Sequence, residues 1–250
     1  MTVDVKREGD VLVATLNRPD KKNALTGAMY RGLTEVLTTA HAEAGIGAVL
    51  VTGAGGAFCA GNDIGDFLAE NARASEGART GPGGEFIRTL ARFDKPIVAA
   101  VEGPAVGIGT TMCLHCDLVY AAPSARFAMP FVNLGLVPEA GSSLLVPRRF
   151  GMSVATEWLM LGEAIDAARA YEIGLVNQVV AEGVVVHALG KAKALAAKPR
   201  AALLATRKLM RGDAETLYAH METELVAFAT ALKSPEARAA FEAFAGRARG

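Results

Sequence analysis

The sequence has no surplus of charge of either sign and few aromatic residues. Lysine plus arginine and aspartate plus glutamate each total 26, so the formal net charge is zero. A chain without a basic surplus lacks the broad positive field that holds a polyanion, which argues against nucleic acid as its main partner. Aromatic residues make up only 6% of the 250 residues, whereas glycine and alanine are abundant. This composition favours close packing of backbones over an aromatic-rich core.

Long apolar runs and an apolar leader segment are also missing. The longest mostly apolar stretch, residues 97–106, is too short to span a bilayer and contains Glu102 and Pro104. The first residues are largely polar and lack the apolar run of a secretory signal. We therefore expect no membrane association and a cytoplasmic location.

Cysteine is scarce, and its three copies predict neither a disulfide framework nor a complete metal site. Cys113 and Cys116 have the spacing of half a zinc site, but Cys59 stands alone and there is no second pair. We predict three buried thiols in a reducing compartment and no bound metal.

Hydrophobic residues are plentiful, at 51% of the sequence, which suffices for one large α/β domain. Short apolar runs predict buried strands, and apolar residues at helical spacing predict helices between them. The predicted strands are 11–16, 48–52, 95–101 and 117–122, and the predicted helices among them are 26–44 and 107–115. Strands that alternate with helices imply crossover connections and a mainly parallel sheet.

The last third of the sequence differs from the rest. From about residue 152 onward the pattern is nearly all helical, and it is broken at Gly162, Gly174, Pro199, Gly212 and Pro235. Ser234 followed by Pro235 predicts a helix start. We therefore divide the chain into an α/β core, residues 1–195, and a C-terminal helical region, residues 196–250. Residues 71–84 are polar and glycine-rich, and we predict that they are mobile.

Two glycine-rich segments, 53–58 and 103–111, first suggest phosphate binding. The second lacks the lysine of a P-loop, and the first has Phe58 where a dinucleotide fingerprint needs its third glycine. Tight turns are the plain alternative, and turns at helix starts expose backbone N–H groups that suit an oxyanion. Ser142 and Ser143 follow a glycine, but the Gly-x-Ser-x-Gly elbow of a serine hydrolase is missing.

Glu139 is the one charged residue in the run from Phe131 to Pro147. A carboxylate in such apolar surroundings is partly desolvated, which raises its pKa and makes it a better base. The alternative is a carboxylate that caps a helix N-terminus, where Pro138 and Glu139 are both favoured. The residues alone leave both interpretations open.

Seven segments carry a resemblance to a known family. They are residues 17–25 (NRPDKKNAL), 57–64 (AFCAGNDI), 95–109 (KPIVAAVEGPAVGIG), 116–121 (CDLVYA), Phe127, 134–138 (LGLVP) and 168–176 (ARAYEIGLV). In this order they resemble the crotonase family, also called the enoyl-CoA hydratase/isomerase superfamily. The resemblance extends from about Val3 to the C-terminus.

This resemblance implies an α/β fold made of a spiral of ββα units, and assembly as trimers or dimers of trimers. It also implies a coenzyme A thioester as the substrate, without a permanently bound cofactor. Members of the family hold the enolate of the thioester with two backbone N–H groups, which by motif fall here on Asn62 and Ile108.

The resemblance also implies residues that contact coenzyme A. The segment from Ala60 to Ile64, including Asp63, matches the part of the family that borders the adenine. Lys22 is the candidate for a contact with a CoA phosphate.

Departures from the family pattern indicate the reaction. Hydratases of the family carry two glutamates, and the matching positions here are Thr111 and Phe131, neither of which can activate water. Dienoyl-CoA isomerases also have an acid at the position of Phe131. Glu139, in contrast, matches the catalytic glutamate of the peroxisomal type of Δ3,Δ2-enoyl-CoA isomerase. The leading hypothesis is an enzyme that shifts the double bond of an enoyl-CoA from position 3 to position 2.

Other functions remain open beside this hypothesis. One is an enoyl-CoA hydratase, and another is a crotonase-type lyase or hydrolase that uses the same oxyanion hole. A third is a non-catalytic acyl-CoA binder that has lost its chemistry.

Overall fold

The computed structural model describes residues 3–66 and 81–247. The strands, in chain order, are β1 (Val3–Glu8), β2 (Val11–Leu16), β3 (Ala48–Gly53), β4 (Ile97–Val101), β5 (Pro104–Val106), β6 (Leu118–Ala121), β7 (Arg126–Ala128), β8 (Ile165–Asp166) and β9 (Gln178–Val179). The main helices are α1 (Gly27–Ala42), α2 (Pro82–Arg92), α3 (Ile108–His115), α4 (Ser142–Phe150), α5 (Met152–Thr156), α6 (Ala167–Glu172), α7 (Val184–Ala196), α8 (Arg200–Arg211), α9 (Ala214–Ala231) and α10 (Pro235–Arg247).

The centre of the fold is a six-stranded sheet in the order β1-β2-β3-β4-β6-β9. β1 pairs with β2 antiparallel, and every later pair in this sheet is parallel. Every residue of β3 and of β4 is buried, as expected for parallel strands covered on both faces. A smaller sheet in the order β5-β7-β8 stands beside it.

Helices cover both faces of the main sheet. On one face α1 buries a stripe at helical spacing that includes Met29, Leu33 and Leu37, and this stripe joins the larger hydrophobic cluster. On the other face α7 contributes Val184, Ala188 and Ala192 to a second cluster. This layering is an α/β fold, and the helices α8 to α10 follow it as a C-terminal helical region.

Most of the predicted elements are present. The four predicted strands and the two predicted helices all form, and their ends shift by at most a few residues. The breaks at the glycines and prolines of the last third are also confirmed. Ser234 accepts a hydrogen bond from the amide of Ala237 (3.1 Å), so α10 begins with the expected cap.

The structure differs from the sequence analysis in one strand and in the last third of the chain, and it describes only part of the segment predicted to be mobile. β1 was not predicted, because four of its six residues are exposed and only Val3 and Val5 are apolar. The region after residue 152 is not wholly helical, since β8 and β9 each form a two-residue strand there. Of the segment 71–84, residues 71–80 lie outside the described residues, and the rest leads into α2, which begins at Pro82.

Across residues 3–66 and 81–247, no helix is both long and apolar enough to cross a membrane.

Candidate active site

Two turns meet beyond the ends of β3 and β4. Cys59 and Ala105 form a parallel bridge, in which the amide of Cys59 donates to Pro104 (2.9 Å) and the amide of Val106 donates to Cys59 (2.8 Å). A Cβ on Gly109 would lie 2.6 Å from the carbonyl oxygen of Cys59, closer than real Cβ contacts. The two turns therefore touch through their backbones, and this approach requires glycine.

Each of the two predicted oxyanion residues lies three residues after one partner of this bridge. Asn62 lies three residues after Cys59, and Ile108 lies three residues after Ala105 as the first residue of α3. Within the described part of the chain, neither amide donates a hydrogen bond to another residue. Such free N–H groups on adjoining turns, one of them at a helix start, can hold a developing oxyanion.

The side chain of Asn62 is held by the first helix. The hydroxyl of Tyr30, on α1, donates to Oδ1 of Asn62 (2.5 Å). On the backbone, Asn62 forms a parallel bridge with Leu25. The turn that carries the Asn62 amide is thus anchored on both sides, which favours a preorganised donor.

Glu139 is buried, with 7% of its surface exposed. Its Oε1 accepts a hydrogen bond from the hydroxyl of Thr111 on α3 (2.5 Å). Burial raises the pKa of Glu139 to about 8, the hydrogen bond from Thr111 opposes this rise, and the charge of Glu224 adds to it. A carboxylate with a pKa near neutrality is suited to both take up and return a proton.

The carboxylate of Glu139 does not cap a helix. Helix α4 begins three residues later, at Ser142, and the side chain that accepts from its first amides is Glu224 on α9. Glu139 instead contributes its backbone carbonyl, which accepts from the hydroxyl of Ser142 (2.6 Å). The capping interpretation of Glu139 is therefore wrong, and its carboxyl group faces Thr111.

The turn after Glu139 has an uncommon backbone. Ala140 and Gly141 both have left-handed backbone angles, with φ of 56° and 74°. The ring of His115 lies at hydrogen-bond distance from the carbonyl of Ala140 (Nε2 to O, 2.7 Å). Burial lowers the pKa of His115 to about 4, so its ring is neutral and donates from Nε2.

The two positions that carry glutamates in hydratases lie at the same site. Thr111 contacts Glu139 directly. Phe131 is buried, and a Cβ on Gly107, the residue before Ile108, would lie 4.0 Å from its ring. An apolar ring therefore lies next to the turn that leads to Ile108, at the position that the family resemblance matches to a second acid in hydratases.

The residues expected to contact coenzyme A lie around one loop. Lys22 is exposed, and its carbonyl accepts from the amide of Ala60 (2.9 Å). Asp63 accepts from Arg18 (2.8 Å), which together with other hydrogen bonds lowers its pKa despite partial burial. Ile64 packs, half-buried, against the larger hydrophobic cluster. The loop thus presents Lys22 and Ala60 side by side, while Asp63 is already paired.

Sequence reasoning missed several residues that build the site. Asn23 is fully buried and donates to Ala54 (2.9 Å) and Ala57 (2.6 Å), which fixes the loop before Ala60. Its place in the NRPDKKNAL motif was a usable signal. No such signal marks Tyr30, His115 and Glu224, because each forms its hydrogen bond with a segment that is distant in the sequence.

Comparison with known proteins identifies the family. The family model described as enoyl-CoA hydratase/isomerase matches residues 6–249. The chain therefore belongs to the enoyl-CoA hydratase/isomerase family, the crotonase superfamily, and is an enzyme of that family.

Its relatives include both isomerases and hydratases. The chain is 37% identical over 224 residues to enoyl-CoA delta isomerase 2 of Rattus norvegicus, and the match covers 88% of this chain and 57% of the rat protein. This chain thus spans little more than half the length of that relative. It is 35% identical over 212 residues to 2,3-dehydroadipyl-CoA hydratase of Escherichia coli, a match that covers 84% of this chain and 82% of the hydratase.

A solved structure shares the fold. OdaA of Pseudomonas aeruginosa superposes with a TM-score of 0.92 at 44% sequence identity, and the match covers 97% of this chain and 98% of OdaA. The crotonase-like α/β fold expected from the sequence motifs is therefore confirmed.

Proposed function

We propose that this enzyme is an enoyl-CoA isomerase that moves a double bond from position 3 to position 2 of an acyl-CoA, with Glu139 as its single base. The observation that carries the proposal is the buried carboxyl group of Glu139, held by Thr111. The 37% identity to a protein named enoyl-CoA delta isomerase 2 supports it.

The other acids near the site are engaged elsewhere. Asp63 is paired with Arg18, and Asp66 accepts from the amide of Gly27 (2.6 Å). Glu224, the other buried acid of the described chain, accepts three hydrogen bonds from the start of α4. Among the described residues Glu139, in contrast, accepts one hydrogen bond on its carboxyl group, from Thr111 to Oε1, and in this proposal the other oxygen takes the substrate proton.

The chemistry requires one base and one oxyanion site. In a 3-enoyl thioester the proton on C2 is acidified by both the carbonyl group and the double bond. Glu139 takes this proton, and the electron pair of the C–H bond moves into a dienolate whose oxygen accepts from the amides of Asn62 and Ile108. Glu139 then returns the proton to C4, which leaves the double bond between C2 and C3. Each oxyanion donor contributes about 2.7–4 kcal/mol if it resembles measured cases.

Hydration is the second candidate, since a hydratase is among the relatives. Thr111 and Phe131 argue against it, because a water molecule would find one carboxylate instead of two. The experiment that separates the two reactions incubates the enzyme with a 3-enoyl-CoA and with a 2-enoyl-CoA in deuterated water, and analyses the products. We expect the 2-enoyl thioester from the first substrate, with no 3-hydroxyacyl-CoA from either. A 3-hydroxyacyl product as the main outcome would refute the isomerase assignment.

Binding of coenzyme A belongs to the same proposal. We propose that Ala60, Asp63 and Ile64 border the adenine and that Lys22 contacts a phosphate, while no cofactor stays bound between turnovers. The adjacency of Lys22 and Ala60 supports this placement.

We also propose that the enzyme works in the cytoplasm as a homotrimer or hexamer, with residues 196–250 forming the contacts. Three large apolar residues of this region are strongly exposed in the single chain: Leu209 (84%), Met210 (81%) and Val226 (69%). Sedimentation should show an oligomer that Met210→Glu weakens. Val186→Glu, at an equally exposed site on α7, serves as the control, and a monomeric wild-type protein would contradict the proposal.

A further inference from the structure

Glu224 lies on the C-terminal helix α9, yet it is buried against the turn that carries Glu139, and only 6% of its surface is exposed. It accepts from the amide of Gly141 (2.5 Å), from the amide of Ser143 (2.9 Å) and from the hydroxyl of Ser143 (2.5 Å). Gly141 is only two residues after Glu139. A carboxylate that accepts two backbone amides fixes the local backbone, because both oxygens are used in a forked arrangement.

The turn itself needs such support. Ala140 carries a side chain at a φ of 56°, in a region that non-glycine residues seldom occupy. Backbone strain of this kind persists only where the surroundings impose it.

Helix α9 also touches the turn through apolar side chains. A Cβ on Gly141 would lie 2.5 Å from Cδ1 of Leu217 and 3.2 Å from Cγ of Met221. These two residues and Glu224 lie on one face of α9, at the spacing of successive helical turns. The helix therefore contacts the turn both by packing and by charge-assisted hydrogen bonds.

Glu139 has few other restraints. Its side chain has one described hydrogen-bond partner, the hydroxyl of Thr111. The direction of its carboxyl group therefore depends on this hydrogen bond and on the backbone of Glu139 itself. We propose that Glu224 is a positioning residue for the base: it holds the Glu139–Ala140–Gly141 turn so that the carboxyl group of Glu139 reaches the substrate. This inference rests on the proposed function, in which Glu139 is the base.

Several ionisable groups face the base or its turn and enter any pH measurement. From α9 they are Glu224 and His220, whose Nε2 lies 3.6 Å from Glu224 Oε1. From α3 the ring of His115 contacts Ala140. In the turn after β3, burial raises the pKa of the Cys59 thiol, and the charge of Glu139 adds to this rise. Among these groups, Glu224 is the one that contacts the turn and whose charge also acts on Glu139.

The first test compares Glu224→Gln with wild type. A glutamine can accept from one amide, but its NH₂ group then faces the other donor, so the turn loosens. We expect kcat for a 3-enoyl-CoA to fall about 10- to 100-fold, since a misplacement of about 1 Å can cost roughly 10²-fold. KM should stay within about twofold, because Glu224 does not touch the substrate.

A control on the same helix separates positioning from general stability. Glu222→Gln removes an ion pair with Arg88 (2.5 Å) that ties α9 to α2 and lies away from the turn. We expect this variant to keep kcat near the wild-type value. If Glu224→Gln does not fold, Glu224→Asp keeps the charge and shortens the reach, and its kcat should fall less steeply. A wild-type kcat in either folded Glu224 variant overturns the proposal.

The second test needs no catalysis. The pKa of Glu139 can be followed by carbon NMR of labelled glutamate, with Glu139→Gln to assign its signal. Removing the charge of Glu224 should lower the pKa of Glu139 from about 8, while Glu222→Gln should leave it unchanged. This shift reports the charge of Glu224, and hydrogen exchange of the Gly141 amide, which donates to Glu224, reports its hold on the turn. If the wild type does not isomerise yet this amide exchanges faster in Glu224→Gln and not in Glu222→Gln, the proposed function fails and the hold of Glu224 on the turn stands. If the exchange of this amide is unchanged in Glu224→Gln, the positioning role fails whatever the reaction.

Discussion

The hydroxyl of Thr111 donates a 2.5 Å hydrogen bond to Oε1 of Glu139, across 28 residues of sequence. By family resemblance Thr111 occupies the position of a hydratase glutamate. At the position that the resemblance matches to an acid in hydratases, this chain thus has a hydroxyl that donates to Glu139, and one carboxylate with a hydroxyl partner stands where hydratases have a carboxylate pair. This arrangement suits the transfer of one proton between two carbons better than the activation of water.

Thr111→Val tests this hydrogen bond, because valine keeps the shape of threonine and removes the hydroxyl. The bond lowers the pKa of Glu139, so its loss should raise that pKa further. We expect the acid limb of the profile of kcat/KM against pH to move to higher pH. Thr38→Val, at an exposed position on α1, is the control. An unchanged limb, or a limb at lower pH, would show that Thr111 does not act on the base.

Glu139 should also make stability depend on pH. Its pKa is about 8 in the folded protein, against an ordinary glutamate value of 4.5 in the unfolded chain. Between these values the folded state holds the extra proton, so the free energy of unfolding falls as pH rises and the loss is complete above the folded pKa. Glu139→Gln lacks this effect. Urea unfolding should show the variant gaining stability relative to wild type from about pH 5 to about pH 9. A constant difference between the two proteins would contradict a raised pKa.

Gly109 should be indispensable for the contact between the two oxyanion turns. A Cβ there would meet the carbonyl oxygen of Cys59 at 2.6 Å. We expect Gly109→Ala to destabilise the protein by about 1–3 kcal/mol and to reduce C2 proton exchange. Gly190→Ala is the matched control, since its Cβ would meet no atom within 4 Å on helix α7. That change should stabilise the protein by about 0.5–1 kcal/mol. Equal melting temperatures for the two variants would refute the close approach.

Lys22 should contribute to binding of coenzyme A without affecting the reaction. An exposed ion pair is worth about 0.2–1 kcal/mol, so Lys22→Ala should weaken acyl-CoA binding by roughly 1.4- to fivefold with kcat unchanged. The effect should shrink as salt is added. Titration calorimetry at two salt concentrations measures it, with the exposed Lys198→Ala as control. Identical affinities for the two variants would remove Lys22 from the site.

The sequence predicted the sheet and the main helices because their signals are local. β3 and β4 are short, mostly apolar and wholly buried strands, and α1 has a regular buried stripe. β1 was missed because it is an edge strand with mostly exposed residues, whose place is set by pairing with β2. β5 and β7 have three residues each, too few for a periodic pattern.

Candidate residues of the site could be named from the sequence only where motifs mark them. Glu139, Asn62 and Ile108 lie in segments with a family resemblance. Glu224 could not be found in this way, because it lies 83 residues after Gly141 on a helix whose charges look ordinary in the sequence. Only the packing of α9 on the turn makes that carboxylate part of the site.

The central claim is that Glu139 is the base, and Glu139→Gln tests it most directly. Glutamine keeps the size and the hydrogen bond to Thr111 but cannot take up the C2 proton. The measurement is the isomerisation rate of a 3-enoyl-CoA, with acyl-CoA affinity determined in parallel and Glu102→Gln as control. We expect a loss of about 10²–10⁴-fold in kcat with affinity retained. Isomerisation at the wild-type rate would contradict it and would turn attention to Asp63 and Asp66, the acids after Asn62.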